Sequence, residues 1–123
     1  MTKPLAIIIE DDDDLAAIFA EATQSAGYEA ETIHTGDKAI TRLAEVTPFL
    51  IVLDLHLPGV TGPQILRLIR ADERLKNIYV VIASADDRLA EYTRDKANMV
   101  LHKPVSFVQL RDLVQRLRSA TTE

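Results

Sequence analysis

Leu5-Ala6-Ile7-Ile8-Ile9 runs without a polar residue into Glu10-Asp11-Asp12-Asp13-Asp14. A short β-branched stretch that stops abruptly at acids reads as a buried strand whose carboxyl end opens on a polar site. Five adjacent like charges repel one another unless something positive sits among them. Two readings fit. Acids are favoured in the first turn of a helix, where the dipole is positive, and Asp13 stands where a cap belongs. Alternatively, the carboxylates hold a hard divalent cation such as Mg²⁺, Ca²⁺ or Mn²⁺, which prefers oxygen ligands.

Outward from this run, apolar stretches alternate with amphipathic ones. Leu15, Ile18, Phe19 and Ala22 recur at helical spacing until Gly27, placed as a C-terminal cap. Tyr28 to Ile33 alternates as a half-buried strand does, and Thr35-Gly36-Asp37 opens a second helix through Val46, stopped by Pro48. Phe49-Leu50-Ile51-Val52-Leu53 is a continuous apolar run ending at Asp54. After Pro58-Gly59 and Gly62, Pro63 takes the first turn of a helix carrying Ile65, Leu66, Leu68 and Ile69. Tyr79-Val80-Val81-Ile82-Ala83 ends at Ser84, a weak polar helix covers Arg88 to Lys96, and Met99-Val100-Leu101 ends at His102-Lys103-Pro104. Leu110, Leu113, Val114 and Leu117 stripe the last helix. Strands and helices in strict alternation predict a parallel sheet covered on both faces.

Composition narrows the class. The 123 residues suffice for one domain with a core of its own, and the absence of Cys removes disulfides and thiolate metal sites, which suits a reducing compartment. No apolar run approaches the ~20 residues needed to span a bilayer, and Met1-Thr2-Lys3-Pro4 has no signal-peptide character. A cytoplasmic protein with no membrane insertion is therefore expected, and Met1 with its early first strand reads as a natural start. Of 19 acids and 14 bases, removing the acidic run leaves 14 of each, so the negative charge is local. That balance predicts no direct nucleic-acid binding, which needs clustered Lys and Arg.

Ligands of open α/β sheets bind beyond the carboxyl ends of the strands. Those ends carry Glu10-Asp11, Asp54, Ser84 and Lys103, which are thus expected on one edge. Acids to hold a divalent cation beside a lysine to meet an anion point to phosphoryl chemistry. An Asp carboxylate can itself be the nucleophile, forming a mixed anhydride.

Glu10-Asp11, Asp54 within Ile51-Val52-Leu53-Asp54-Leu55-His56-Leu57-Pro58-Gly59, Ser84-Ala85 and Lys103-Pro104 together resemble the receiver domain of two-component response regulators, over essentially the whole chain. The resemblance implies a flavodoxin-like (βα)5 fold, a doubly wound parallel sheet of order 2-1-3-4-5. It implies one receiver domain over residues 1–123, without an output domain. Asp54 is implied as the acceptor of a phosphoryl group from a sensor histidine kinase or histidine phosphotransfer protein. Mg²⁺, or Mn²⁺, is expected on Asp11, Asp54 and the His56 backbone carbonyl, with Glu10 reached through water. Lys103 is implied to meet a phosphoryl oxygen, and the Ser84 hydroxyl to swing toward it. His56 and Asp86 occupy positions that adjust acyl-phosphate lifetime in the family, and the Lys103-Pro104 bond is expected to be cis. Output is expected through a downstream protein partner, with no turnover of an external substrate.

Two features depart from the family pattern. Val100 stands where an aromatic ring usually reports the switch, and Lys96-Ala97-Asn98 replaces the frequent Gly-Ala-Asp. Readout through helix four or helix one is then the expectation. His34 and His102 have no ligand partner at metal-binding spacing and read as surface residues. Two other identities remain open: a receiver fragment of a larger regulator, and a small Mg²⁺-dependent phosphohydrolase of related topology. Asp54-Leu55-His56 lacks the second Asp of an Asp-x-Asp phosphohydrolase, which disfavours the latter.

Overall fold

Successive side chains of a strand point to opposite faces, and this sorts the apolar runs into two cores. The computed structural model describes residues 2–120. Within them, β1 (Leu5–Ile9), β2 (Glu29–Ile33), β3 (Leu50–Asp54), β4 (Tyr79–Ser84) and β5 (Met99–His102) form a parallel sheet of order β2-β1-β3-β4-β5. The helices are α1 (Asp13–Ser25), α2 (Gly36–Leu43), α3 (Gly62–Ala71), α4 (Asp87–Thr93) and α5 (Phe107–Ala120). This is the expected flavodoxin-like order, which reverses direction between β1 and β3.

Ile7, Ile9, Ile51 and Leu53 face α2, α3 and α4, meeting Ala39, Leu43, Ile65, Leu66, Ile69 and Ala90. Ala6, Ile8, Leu50 and Val52 face α1 and α5, meeting Phe19, Ala22, Leu110, Leu113 and Val114. Strands buried on both faces have no polar alternation to show, hence the unbroken apolar runs. The Tyr28 hydroxyl donates to the Val114 carbonyl at 2.7 Å, tying α5 to the start of β2.

Several boundaries differ from the sequence reading, each for a local reason. The cap of α1 is Asp12, not Asp13: its Oδ1 accepts the Leu15 N–H at 2.9 Å, leaving Asp13 and Asp14 in the first turn. Tyr28 precedes β2, its N–H bonded back to the Thr23 carbonyl at 3.1 Å. The second helix ends at Leu43 rather than Val46, because the Arg74 guanidinium takes the carbonyls of Leu43 and Val46. The fourth helix begins at Asp87, and its last turn, Arg94–Lys96, is a 3₁₀ helix. There the Arg70 Nε holds the Lys96 carbonyl at 2.8 Å. β5 extends one residue further than expected, to His102, and the Lys103-Pro104 bond is cis. No helix among the described residues is long and apolar enough to cross a membrane.

Candidate functional site

Register decides which strand-end residues meet. Ile9 lies beside Leu53 and Leu53 beside Ile82, so the residue after β1, Glu10, comes level with Asp54 at the last rung of β3. Ser84 ends β4 beside His102, and the Lys103 N–H donates to the Ser84 carbonyl at 2.8 Å. The four ends expected to converge do so: Glu10, Asp54 and Lys103 line an open cleft with Asp11, His56 and Ala85, and Ser84 lies buried beneath it at the end of β4.

Carboxylate oxygens of Glu10, Asp11 and Asp54 all lie within 4.8 Å of one another. Glu10 and Asp54 are buried, 1% and 4% exposed, whereas Asp11 is exposed. Two desolvated carboxylates at such range need positive charge, and Lys103 supplies it. Its Nζ donates to Glu10 Oε1 at 2.8 Å and lies 3.6 Å from Asp54 Oδ1. Burial dominates at Glu10 and raises its carboxyl from 4.5 to about 7; the Lys103 hydrogen bond opposes this rise and the Asp54 charge adds to it. At Lys103, burial works against the charge, but the hydrogen bond to Glu10 and the charges of Asp54 and Glu10 outweigh it, so its proton is held more tightly than usual. Three oxygen donors of this hardness, two of them buried, fit a small divalent cation.

The rim is wired through Asp86. Its N–H donates to Ser84 Oγ at 3.0 Å, and Ser84 Oγ donates to the Asp86 carbonyl at 3.3 Å. Oδ1 of Asp86 caps α4 by accepting the Leu89 N–H at 2.9 Å, while Oδ2 meets His56 Nε2 at 3.2 Å. The Leu89 hydrogen bond, followed by the His56 contact, holds the Asp86 carboxyl below its ordinary range. The His56 N–H donates to Asp54 Oδ1 at 3.1 Å. Ser84, Asp86, His56 and Asp54 are thus linked in one path, through the backbone of Asp86 at one end and the backbone N–H of His56 at the other. Val100 lies in β5, buried among the residues facing α4, and offers no ring to move.

Residues 6–115 match the family model described as response regulator receiver domain. The chain belongs to the response regulator receiver family. Receiver domains are the signalling switches of two-component systems, and this one keeps the strand-end acids, hydroxyl and lysine in the expected order. It is 31% identical over 94 residues to the phosphate regulon transcriptional regulatory protein PhoB of Rhizobium meliloti, covering 76% of this chain and 41% of PhoB. To the DNA-binding response regulator MtrA of Mycolicibacterium smegmatis it is 35% identical over 66 residues, covering 54% of this chain and 29% of MtrA. The chain thus spans less than half the length of either relative. In fold it matches the chemotaxis response regulator CheY4 of Vibrio cholerae with a TM-score of 0.86 and 21% identity, covering 94% of this chain and 99% of that one.

The receiver also uses residues that spacing did not reveal. Gly62 opens α3 against the Asp54-Leu55 backbone: a Cβ there would stand 2.5 Å from both the Asp54 carbonyl oxygen and Leu55 Cα. Only glycine lets the helix start so close to the site. His34 and His102 are half-exposed, as expected for surface residues, but each has an acidic neighbour: Asp13 Oδ1 at 3.5 Å and Asp87 Oδ1 at 3.0 Å respectively. His34 also contacts the Glu10 carbonyl. These contacts span 24 residues or fewer in sequence for His34 and 15 for His102, and nothing in the local pattern marks them.

Proposed function

We propose that the protein is a phosphorylation-dependent signalling switch in which Asp54 accepts a phosphoryl group from a phosphohistidine on a sensor histidine kinase or histidine phosphotransfer protein. A carboxylate oxygen of Asp54 bonds to phosphorus as the phosphorus–nitrogen bond of the donor breaks; the imidazole leaves with the electron pair and regains a proton, and an aspartyl phosphate remains. The observation that supports this reading is the meeting of Glu10, Asp11 and Asp54 with the Lys103 ammonium at the strand-order reversal. Asp11, Asp54 and the His56 carbonyl would hold Mg²⁺ or Mn²⁺, with Glu10 reached through water. When bound, the ion would neutralise charge on the phosphoryl oxygens.

Lys103 would transfer its ammonium toward a phosphoryl oxygen. The Ser84 hydroxyl would turn from Asp86 to the phosphoryl group, and His56 and Asp86 would bound water access to it. With a valine at position 100, we place the readout at Asp86 and the start of α4, whose cap shares its residue with the Ser84 contact. The partners are proposed to be proteins: the kinase or phosphotransfer protein and a downstream target. The even charge outside the acidic run supports a domain that does not itself bind nucleic acid.

Acetyl phosphate and MgCl₂ should label the wild-type protein once, and Asp54→Asn not at all, by intact-protein mass spectrometry. Undiminished labelling of the mutant would remove Asp54 from this role. Continuous release of phosphate from monoesters, lost in Asp54→Ala, would instead make the protein a phosphohydrolase.

A further inference from the structure

The turn from β2 to α2 gives no carboxylate or ammonium to the acidic cluster, yet it touches both the loop after β1, which carries Glu10 and Asp11, and the loop that follows Asp54. His34 Nδ1 lies 2.9 Å from the Glu10 carbonyl oxygen. A carbonyl has no hydrogen to give, so Nδ1 is the donor; neutral ring and imidazolium can both fill that role, and the contact does not depend on the ring's charge. The Glu10 N–H donates to the Ile33 carbonyl at 3.0 Å. Both backbone polar groups of Glu10 are therefore held by consecutive residues at the end of β2. Because the peptide unit is planar, fixing the Glu10 carbonyl also sets the direction in which the chain enters Asp11.

The same turn reaches the second loop. A Cβ on Gly36 would lie 2.2 Å from the Val60 carbonyl oxygen and 2.8 Å from Val60 Cβ, so α2 begins in direct contact with the segment between β3 and α3. Val60 belongs to the loop that carries His56. One short turn thus holds the Glu10 backbone by hydrogen bonds and meets the loop after Asp54 at Val60.

We propose that His34 is a positioning residue for the Glu10-Asp11 corner, holding the peptide between them so that the Asp11 carboxylate stays within reach of Asp54, with Gly36 bracing the opposite loop through Val60. The inference rests on the reading of Glu10, Asp11 and Asp54 as a divalent-cation site. His34 is half-exposed and its removal opens no cavity, so the fold is expected to survive substitution.

The test compares wild type, His34→Leu and His34→Asn in the full chain. Asn keeps an N–H donor close to the position of Nδ1, whereas Leu has none. Isothermal titration with MgCl₂ should show affinity about 3- to 10-fold weaker in His34→Leu, the range for losing one hydrogen bond around a metal ligand, and recovery in His34→Asn. Hydrogen exchange without metal should speed at Asp11 and Asp12 in His34→Leu alone, while the urea midpoint of all three stays close. Unchanged Mg²⁺ affinity and unchanged exchange in His34→Leu, beside a wild type that binds, would overturn the role given to His34. So would equal losses in both variants, because the N–H would then not matter. Failure of the wild type to bind Mg²⁺ would overturn the cation-site reading itself, and this inference with it.

Discussion

The Lys103 ammonium donates a hydrogen bond to Glu10 Oε1 at 2.8 Å, joining the turn after β5 to the end of β1. Both side chains are largely buried, 17% and 2% exposed. The same cation lies 3.6 Å from Asp54 Oδ1, so one charge serves two carboxylates. Lys103 is also the group proposed to meet a phosphoryl oxygen.

Lys103→Ala leaves Glu10 and Asp54 buried without their cation. Removing one partner of a buried pair is expected to cost about 3 kcal/mol of stability. Saturating Mg²⁺ should return part of it, since ligand binding to the folded state alone stabilises it. Urea denaturation with and without MgCl₂ measures both effects, and an unshifted midpoint in the metal-free mutant would contradict the pairing.

Glu10 gives a pH dependence of defined sign. Its carboxyl rises from 4.5 to about 7 in the fold, chiefly by burial, so the folded protein holds that proton more tightly than the unfolded chain. The resulting stabilisation is complete below about 4.5 and disappears as pH rises through about 7. Metal-free wild type should therefore lose stability relative to Glu10→Gln over that window. Mg²⁺ affinity should move oppositely, rising with pH as the proton ceases to compete. Parallel urea curves for the two proteins at pH 5 and pH 7.5, about the ends of the window, would refute the first expectation.

Gly62→Ala tests the closeness of α3 to the site. A Cβ 2.5 Å from the Asp54 carbonyl oxygen and Leu55 Cα meets backbone on both sides, which cannot swing away. Overpacking of this kind costs about 1–3 kcal/mol, although Ala is the better helix residue. A thermal melt at or above that of wild type would show that the helix start yields.

Asp86→Ala removes the α4 cap and the His56 contact together and leaves the Ser84 hydroxyl in place. Amide exchange at Leu89 should quicken in the unphosphorylated protein. If the readout runs through this residue, phosphorylation should then change α4 exchange less than it does in wild type. An equal phosphorylation-dependent change in both proteins would place the readout elsewhere.

Much of the fold was legible because fully buried strands need long apolar runs. Leu5–Ile9, Leu50–Asp54 and Tyr79–Ser84 could be recognised from composition alone. Element ends were less legible where long side chains intervene from a distance. Arg74, beyond α3, closes α2 early, and Arg70 holds the Lys96 carbonyl at the 3₁₀ turn. The strand-end acids, Ser84 and Lys103 were legible because parallel strands deliver their carboxyl ends to one edge. His34 and Gly62 were not, since a hydrogen bond to a backbone carbonyl and a missing Cβ leave no pattern along the chain.

The order of residues by itself determined that a parallel α/β sheet forms and that acids, a hydroxyl and a lysine end its strands. Apolar periodicity and turn residues act over neighbours in sequence, so they can be read there. Tertiary structure alone decided which carboxylate takes the Lys103 ammonium, that Asp12 rather than Asp13 caps α1, and that Asp86 links Ser84, His56 and α4. Those outcomes depend on strand register and on distances of a few ångströms between segments far apart in the chain, where electrostatic and hydrogen-bond energies are settled.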